Sequence, residues 1–189
     1  MRRVLWVLPV IVLTIAASSV AQQPAARPAT RRAAAAPQNP FKPIATVKDI
    51  MDAMIIPASD VIFGAVGSTT NAAGGVEDKA PKTAEEWLAV RHNGLLLAEG
   101  GNLLMMSGRH AATTKSAHPG TELEPEQIDA LVAKDRAGWI KQAQALIDAS
   151  MIVLKAVDAK NADDLLNAGG DLDTACENCH MKYWYPKNP

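Results

Sequence analysis

The chain has 189 residues, 48% of them hydrophobic and only 4% aromatic, with 19 basic against 20 acidic residues. That length suits a single domain, and its richness in Ala, Leu, Met, Lys and Glu favours helices over sheets. Setting aside the six basic residues up to Lys42 leaves 13 basic against 20 acidic, a body of about −7, which argues against a nucleic-acid partner.

The chain opens with Met1-Arg2-Arg3 and an almost wholly apolar run from Val4 to Ala17, followed by Ser19-Val20-Ala21. This is the pattern of a secretory signal peptide, residues 1–21, with the mature protein expected to start at Gln22. About 14 apolar residues fall short of the roughly 20 that a spanning helix needs. No cysteine follows the run to take a lipid anchor. Residues 22–43 are rich in Ala, Pro and Gln and hold Arg27, Arg31, Arg32 and Lys42 without an acid, so they read as a basic linker. Two roles stay open for it: a solvated tether, or a contact with membrane phosphates or a partner.

From residue 44 onward the pattern is helical. The first helix is expected over residues 46–66, where Val47, Ile50, Met51, Met54, Ile55, Ala58, Val61, Ile62 and Ala65 recur at three and four. Pro57 lacks an amide hydrogen and crowds the carbonyl of Ala53, which predicts a kink or a restart there. Residues 67–82, with Gly67, Gly74, Gly75 and Pro81, read as a long loop. Thr83 with Glu86 forms a capping box that opens a second helix running through Trp87, Leu88, Leu95, Ala98 and Met105. Its glycines, Gly94, Gly100 and Gly101, mark close packing against a neighbour or a cofactor plane. A connection from Gly108 to about Glu124 holds His110 and His118. A third helix of roughly 30 residues starts at Pro125 and carries Ile128, Leu131, Val132, Trp139, Leu146, Val153 and Val157. Asn161 and Asp164 start the fourth, whose inner face holds Leu165, Ala168, Leu172, Ala175, Cys176 and Cys179. Four amphipathic helices without a strand pattern predict an all-α four-helix bundle, up-down-up-down, over residues 44–189.

The stretch richest in chemistry is Cys176-Glu177-Asn178-Cys179-His180, which holds both cysteines of the chain. The spacing C-x-x-C-H reads as covalent haem attachment. On a helix, thiols three apart lie one turn apart on the same face, where both can add to neighbouring haem vinyl groups, and His180 follows as the proximal iron ligand. Half a zinc site is the weaker reading, since tetrahedral zinc needs a second pair of ligands. A thioredoxin-like pair belongs near a βαβ pattern, and a disulfide across two residues is the remaining alternative. Haem c attachment takes place outside the cytoplasmic membrane, which agrees with export to the periplasm.

A signal peptide, four helices and this motif near the C-terminus, with Tyr183 three residues after His180, resemble the class II c-type cytochromes, the cytochrome c prime family. The likeness covers about residues 44–185. Trp184 stands where that family usually has a basic residue, and Pro57 is not part of its common pattern. In an up-down-up-down bundle, His180 lies beside the start of the first helix and the second connection. Distal-ligand candidates are therefore Met51, Met54, Met105, Met106, His110 and His118, while His92 sits too far along its helix. The resemblance implies a distal residue at the place of Met51, a methionine in the low-spin branch. Ordinary core filling is the competing role for Met51 and Met54.

Two function classes follow. With His180 and Met51 on the iron, the chain is a one-electron carrier exchanging electrons with a redox protein through an exposed haem edge. With the distal position open, the resemblance implies binding of nitric oxide or carbon monoxide. No phosphate loop, nucleophile motif or general-base constellation is present, so an enzyme is not expected. Lys182 and Lys187 flank the motif and suggest a basic rim steering an acidic partner, or simply solubility. A homodimer is left open.

Overall fold

The computed structural model describes residues 41–185. The expected signal peptide, most of the linker, and Lys187 lie outside the described residues. What is described is mostly helical: α1 (Val47–Ile50), a π-helical turn (Met51–Ile55), α2 (Ile56–Phe63), α3 (Ala84–Leu104), α4 (Pro125–Lys134), α5 (Arg136–Asp158) and α6 (Ala162–Tyr183). Between α2 and α3 stands a small antiparallel hairpin, β1 (Gly67–Thr70) and β2 (Val76–Lys79), with Gly67 opposite Lys79. No described helix is long and apolar enough to cross a membrane.

The caps form where side chains offer oxygen to free backbone amides. Thr83 accepts from Glu86 N, and the Glu86 carboxylate accepts in return from Thr83 N at 3.0 Å. Asn161 accepts from Asp164 N at 3.1 Å. Thr46 and Asp49 form another capping box at α1. There the loop after α3 completes the helix start, because the carbonyls of His110 and Ala111 accept from Val47 N and Lys48 N, both at 2.9 Å.

One expectation is refined and two are corrected. The regular α-helix restarts at Ile56, with Pro57 in its first turn, but no loop intervenes, because a π-helical turn joins it to α1. The turn before Pro57 widens, and Ile56 N donates to Met51 O five residues back, which takes up the missing amide and the crowding at Ala53. The loop over 67–82 contains the hairpin, turned by Asn71, whose Oδ1 accepts from Ala73 N and Gly75 N at 3.0 and 2.9 Å, with Gly74 at φ 82°. The third helix is two helices. At Asp135 (φ −126°, ψ 53°) the backbone leaves the helical region, and the Asp135 side chain caps α5 by accepting from Gly138 N at 3.0 Å.

The buried seam of α3 is Trp87, Val90, Gly94, Leu97, Gly101 and Leu104, recurring at three and four, while Leu88 and Leu95 face outward. Small residues at Gly94 and Gly101 let α5 close in: a Cβ on Gly94 would lie 2.9 Å from Leu154 Cδ2, and one on Gly101 2.6 Å from Ile147 Cγ1. Gly100 faces the π-helical turn, where a Cβ would meet Ile55 Cγ1 at 2.8 Å. Helix α5 packs against both α3 and α6, and α2 against α3 and α6. The core between them holds Ile55, Ile62, Leu97, Trp139, Leu146, Val153, Leu165 and Leu172.

Candidate functional site

Cys176, Cys179 and His180 occupy the last turns of α6, a regular α-helix to Tyr183, so both thiols lie one turn apart on the face that also buries Leu172 and Ala175. All three are half-buried. Both thiols are free. Burial pushes each up to about 11, with Asp173 and Glu177 adding to the effect at Cys176 and the neighbouring Cys176 adding to it at Cys179. They are therefore thiols rather than thiolates near neutrality, the reverse of an activated exchange pair. Among the described residues no three His, Cys, Asp or Glu side chains gather to hold a metal ion.

The imidazole of His180 is pushed below its ordinary value by burial, with Glu177 pulling the other way. It is thus kept neutral, with a lone pair to offer. Its carbonyl accepts from Trp184 N and Tyr185 N, both at 2.8 Å, and its ring meets Tyr185 edge to face at 5.8 Å.

Opposite this face stands the π-helical turn. Met51, its first residue, lines a cavity of about 220 Å³ together with Cys179, His180, Tyr183 and Trp184. Met51 also lines a second, smaller one with Cys176, Cys179, His180 and Ile55. The structure thereby brings Met51 to the same walls as His180 and both thiols. Met54 lines neither, and its Sδ lies instead toward Gly100. Met106 and His110 line a third cavity of about 390 Å³, with Arg109, Arg136 and Ile128. His110 Nδ1 lies 2.8 Å from Asp129 Oδ2. Met105 is half-buried at the end of α3, and His118 and His92 are exposed. Leu104 and Trp139 are walls of all three cavities.

A network behind the site holds α5 to the end of α6. Trp139 Nε1 donates to Leu104 O at 2.8 Å, and its ring meets Tyr183 edge to face at 5.1 Å. Tyr183 OH donates to Asp135 Oδ2 at 3.1 Å, and Lys182 Nζ lies 2.6 Å from the same oxygen. The Lys182 ammonium, followed by the bonds from Gly138 and Tyr183, holds the Asp135 carboxyl below its usual range. Lys182 is therefore paired with Asp135 at the surface. Asp135, Leu104, Arg109 and Arg136 did not emerge from the sequence pattern. The signal for Asp135 was an Asp three residues before Gly138 inside a long periodic run, the form of an N-cap.

The donors fit a haem: two protonated thiols on one face, a neutral imidazole beside them, a thioether across the cavity, and apolar walls from Ile55, Leu104, Leu146 and Trp139. No family model matches the chain, and neither a curated protein nor a solved structure matches it.

Proposed function

We propose that the chain is an exported c-type cytochrome of the cytochrome c prime type, a one-electron carrier in a periplasmic electron-transfer chain. In this reading Cys176 and Cys179 hold one haem by thioether bonds, His180 is the proximal iron ligand and Met51 the distal one. The observation that carries the reading is the presence of Met51 and His180 on the walls of the same two cavities, one of which both thiols also line. The packing of α5 on α3 and α6, and of α2 on α3 and α6, supports a four-helix bundle counted as α1–α2, α3, α4–α5 and α6.

Bound there, the haem supplies an iron centre that gains or loses one electron, at a potential that a thioether ligand raises. The chain's own groups do the rest. The neutral His180 offers its nitrogen without first losing a proton, and the two main-chain bonds to its carbonyl fix the turn that bears it. Ile55, Leu104 and Trp139 exclude water, which limits reorganisation around a change of charge. Tyr185, partly exposed beside His180, marks the side on which a redox partner would approach.

The test is made on protein from a strain competent in cytochrome maturation. Intact mass after denaturation should show one retained haem on a chain beginning at Gln22. The reduced protein should respond slowly or hardly at all to carbon monoxide, and Met51→Ala should open the site and shift the spectrum toward high spin. A mass without haem sinks the reading. Immediate binding of carbon monoxide by the unaltered protein replaces electron transfer with gas binding.

A further inference from the structure

Two guanidinium groups line the third cavity, the one of about 390 Å³ that shares Leu104 and Trp139 with the site of Met51 and His180. Arg109 donates Nε to Leu103 O at 3.0 Å, Nη1 to Ala45 O and Nη2 to Met106 Sδ at 3.3 Å. Arg136 donates Nη2 to Met105 O. Among the described residues neither has a carboxylate partner, because the ion pairs there are Lys48–Asp52, Arg91–Asp158, His110–Asp129 and Lys182–Asp135. The acid on this wall, Asp129, accepts from Ala111 N at 2.7 Å and is paired with His110. Burial alone pulls the Arg109 guanidinium below its ordinary value. Two half-buried cations without an acid, in a body that is acidic overall, are an arrangement that an anion of the right shape would stabilise.

The thiols and the guanidinium groups line adjoining cavities. Cys176 and Cys179 line one cavity and Arg109 and Arg136 another, and the two cavities share Leu104 and Trp139 as walls. A haem has its vinyl carbons on one edge, an apolar ring between, and two carboxylates on the opposite edge. We propose that Arg109 and Arg136 receive the haem carboxylates, the forked guanidinium donors of Arg136 making the direct contact. This rests on the haem reading above and deepens it. Arg136 has donors beyond the one given to Met105 O, whereas Arg109 is tied to three acceptors and supplies mainly charge.

The experiment compares the haem-loaded protein with Arg136→Gln and Arg136→Lys, with Arg136→Met used where the glutamine variant does not accumulate. Mass after denaturation first confirms that each carries haem, and its absence there would be a failure of the parent reading, seen separately. The readouts are the carboxylate-bending band in the resonance Raman spectrum and the midpoint potential. In Arg136→Gln or Arg136→Met the band should shift and the potential fall, since a cation that disfavours the ferric state is gone. Arg136→Lys should recover most of the potential but not the band, because an ammonium keeps the charge without the fork. Marker bands of the axial ligands should stay in place. An unchanged carboxylate band in the glutamine or methionine variant overturns the proposal. So does a saturable response of the unaltered protein to inorganic phosphate that these variants abolish, which would make the cavity a site for a free anion.

Discussion

The close approach of α3 and α5 yields a graded prediction from three alanine substitutions. Gly170, in the middle of α6, has nothing within 4 Å of an added Cβ, so Gly170→Ala should gain the helix propensity of alanine, about 1 kcal/mol. At Gly101 the same gain meets a Cβ only 2.6 Å from Ile147 Cγ1 and 2.9 Å from the backbone oxygen of Ala143. Main chain cannot rotate away, so the helices must part, at about 1–3 kcal/mol for overpacking. Gly101→Ala should therefore be neutral to about 2 kcal/mol destabilised. Gly94→Ala falls between, because its closest contact is the tip of Leu154, which can change rotamer. Thermal unfolding of the purified proteins by circular dichroism should order the midpoints Gly170→Ala, Gly94→Ala, Gly101→Ala from high to low. The extremes should differ by a few degrees or more, at about 2–4 °C per kcal/mol for a domain near this size. If Gly101→Ala raised the midpoint as much as Gly170→Ala, the glycine seam would not be what brings α3 against α5.

Pro57→Ala restores an amide to the first helix and should let the π-helical turn revert to regular α geometry, which re-aims Met51. The expected result is a changed spin-state balance with little loss of helicity by circular dichroism, and an unchanged visible spectrum would argue against a positioning role. Leu172→Ala removes a side chain that is fully buried in the core and should cost about 2–5 kcal/mol, read from denaturant midpoints. The capping carboxylates Asp49 and Glu86 are held below their ordinary values of 3.8 and 4.5 by bonds from Thr46 and from Lys82 and Thr83. A lowered folded value means their contribution is complete above those ordinary values and fades as pH falls through the lower folded ones. Helix stability should thus drop between about pH 5 and about pH 3, and an Asp49→Asn, Glu86→Gln double variant should drop less. An equal drop in both proteins would assign the acid sensitivity to other groups.

The helices were legible where side-chain chemistry marks them locally. Thr83 with Glu86, Asn161 with Asp164, and Pro125 at a first turn each opened a helix where expected. What escaped reading was set by neighbours. The α3 seam passes through Gly94 and Gly101, which carry no hydrophobic signal, so Leu88 and Leu95 drew the eye although they face solvent. The hairpin is polar and exposed on both strands, so no alternation announced it, though Asn71 and Gly74 are sound turn residues. The break at Asp135 was hidden inside continuous periodicity. At the site, the grouping of the thiols with His180 follows from spacing, whereas helix order left Met51 as one of six candidates for the place beside His180 and the family resemblance singled it out. Arg109 and Arg136 could not be found that way, since they belong to different elements that only packing brings to one cavity.

Two irregularities interrupt the long helical runs among the described residues, and both border the same cavities. The π-helical turn begins at Met51, and Trp139 lies one turn beyond the break at Asp135. Each interruption breaks a continuous run: the first accompanies a proline without an amide, and the second an aspartate held by Lys182 and Tyr183 while it caps α5 through Gly138 N. A strong helix former at either place would lengthen regular helix and strengthen it locally. It would also turn Met51 away from His180 in one case, and release Trp139 from its tie to Tyr183 and the end of α6 in the other. Local rules of helix design are broken here where two walls of one cavity meet, which is the pattern expected when side-chain placement at a site outweighs the stability of the segment that carries it.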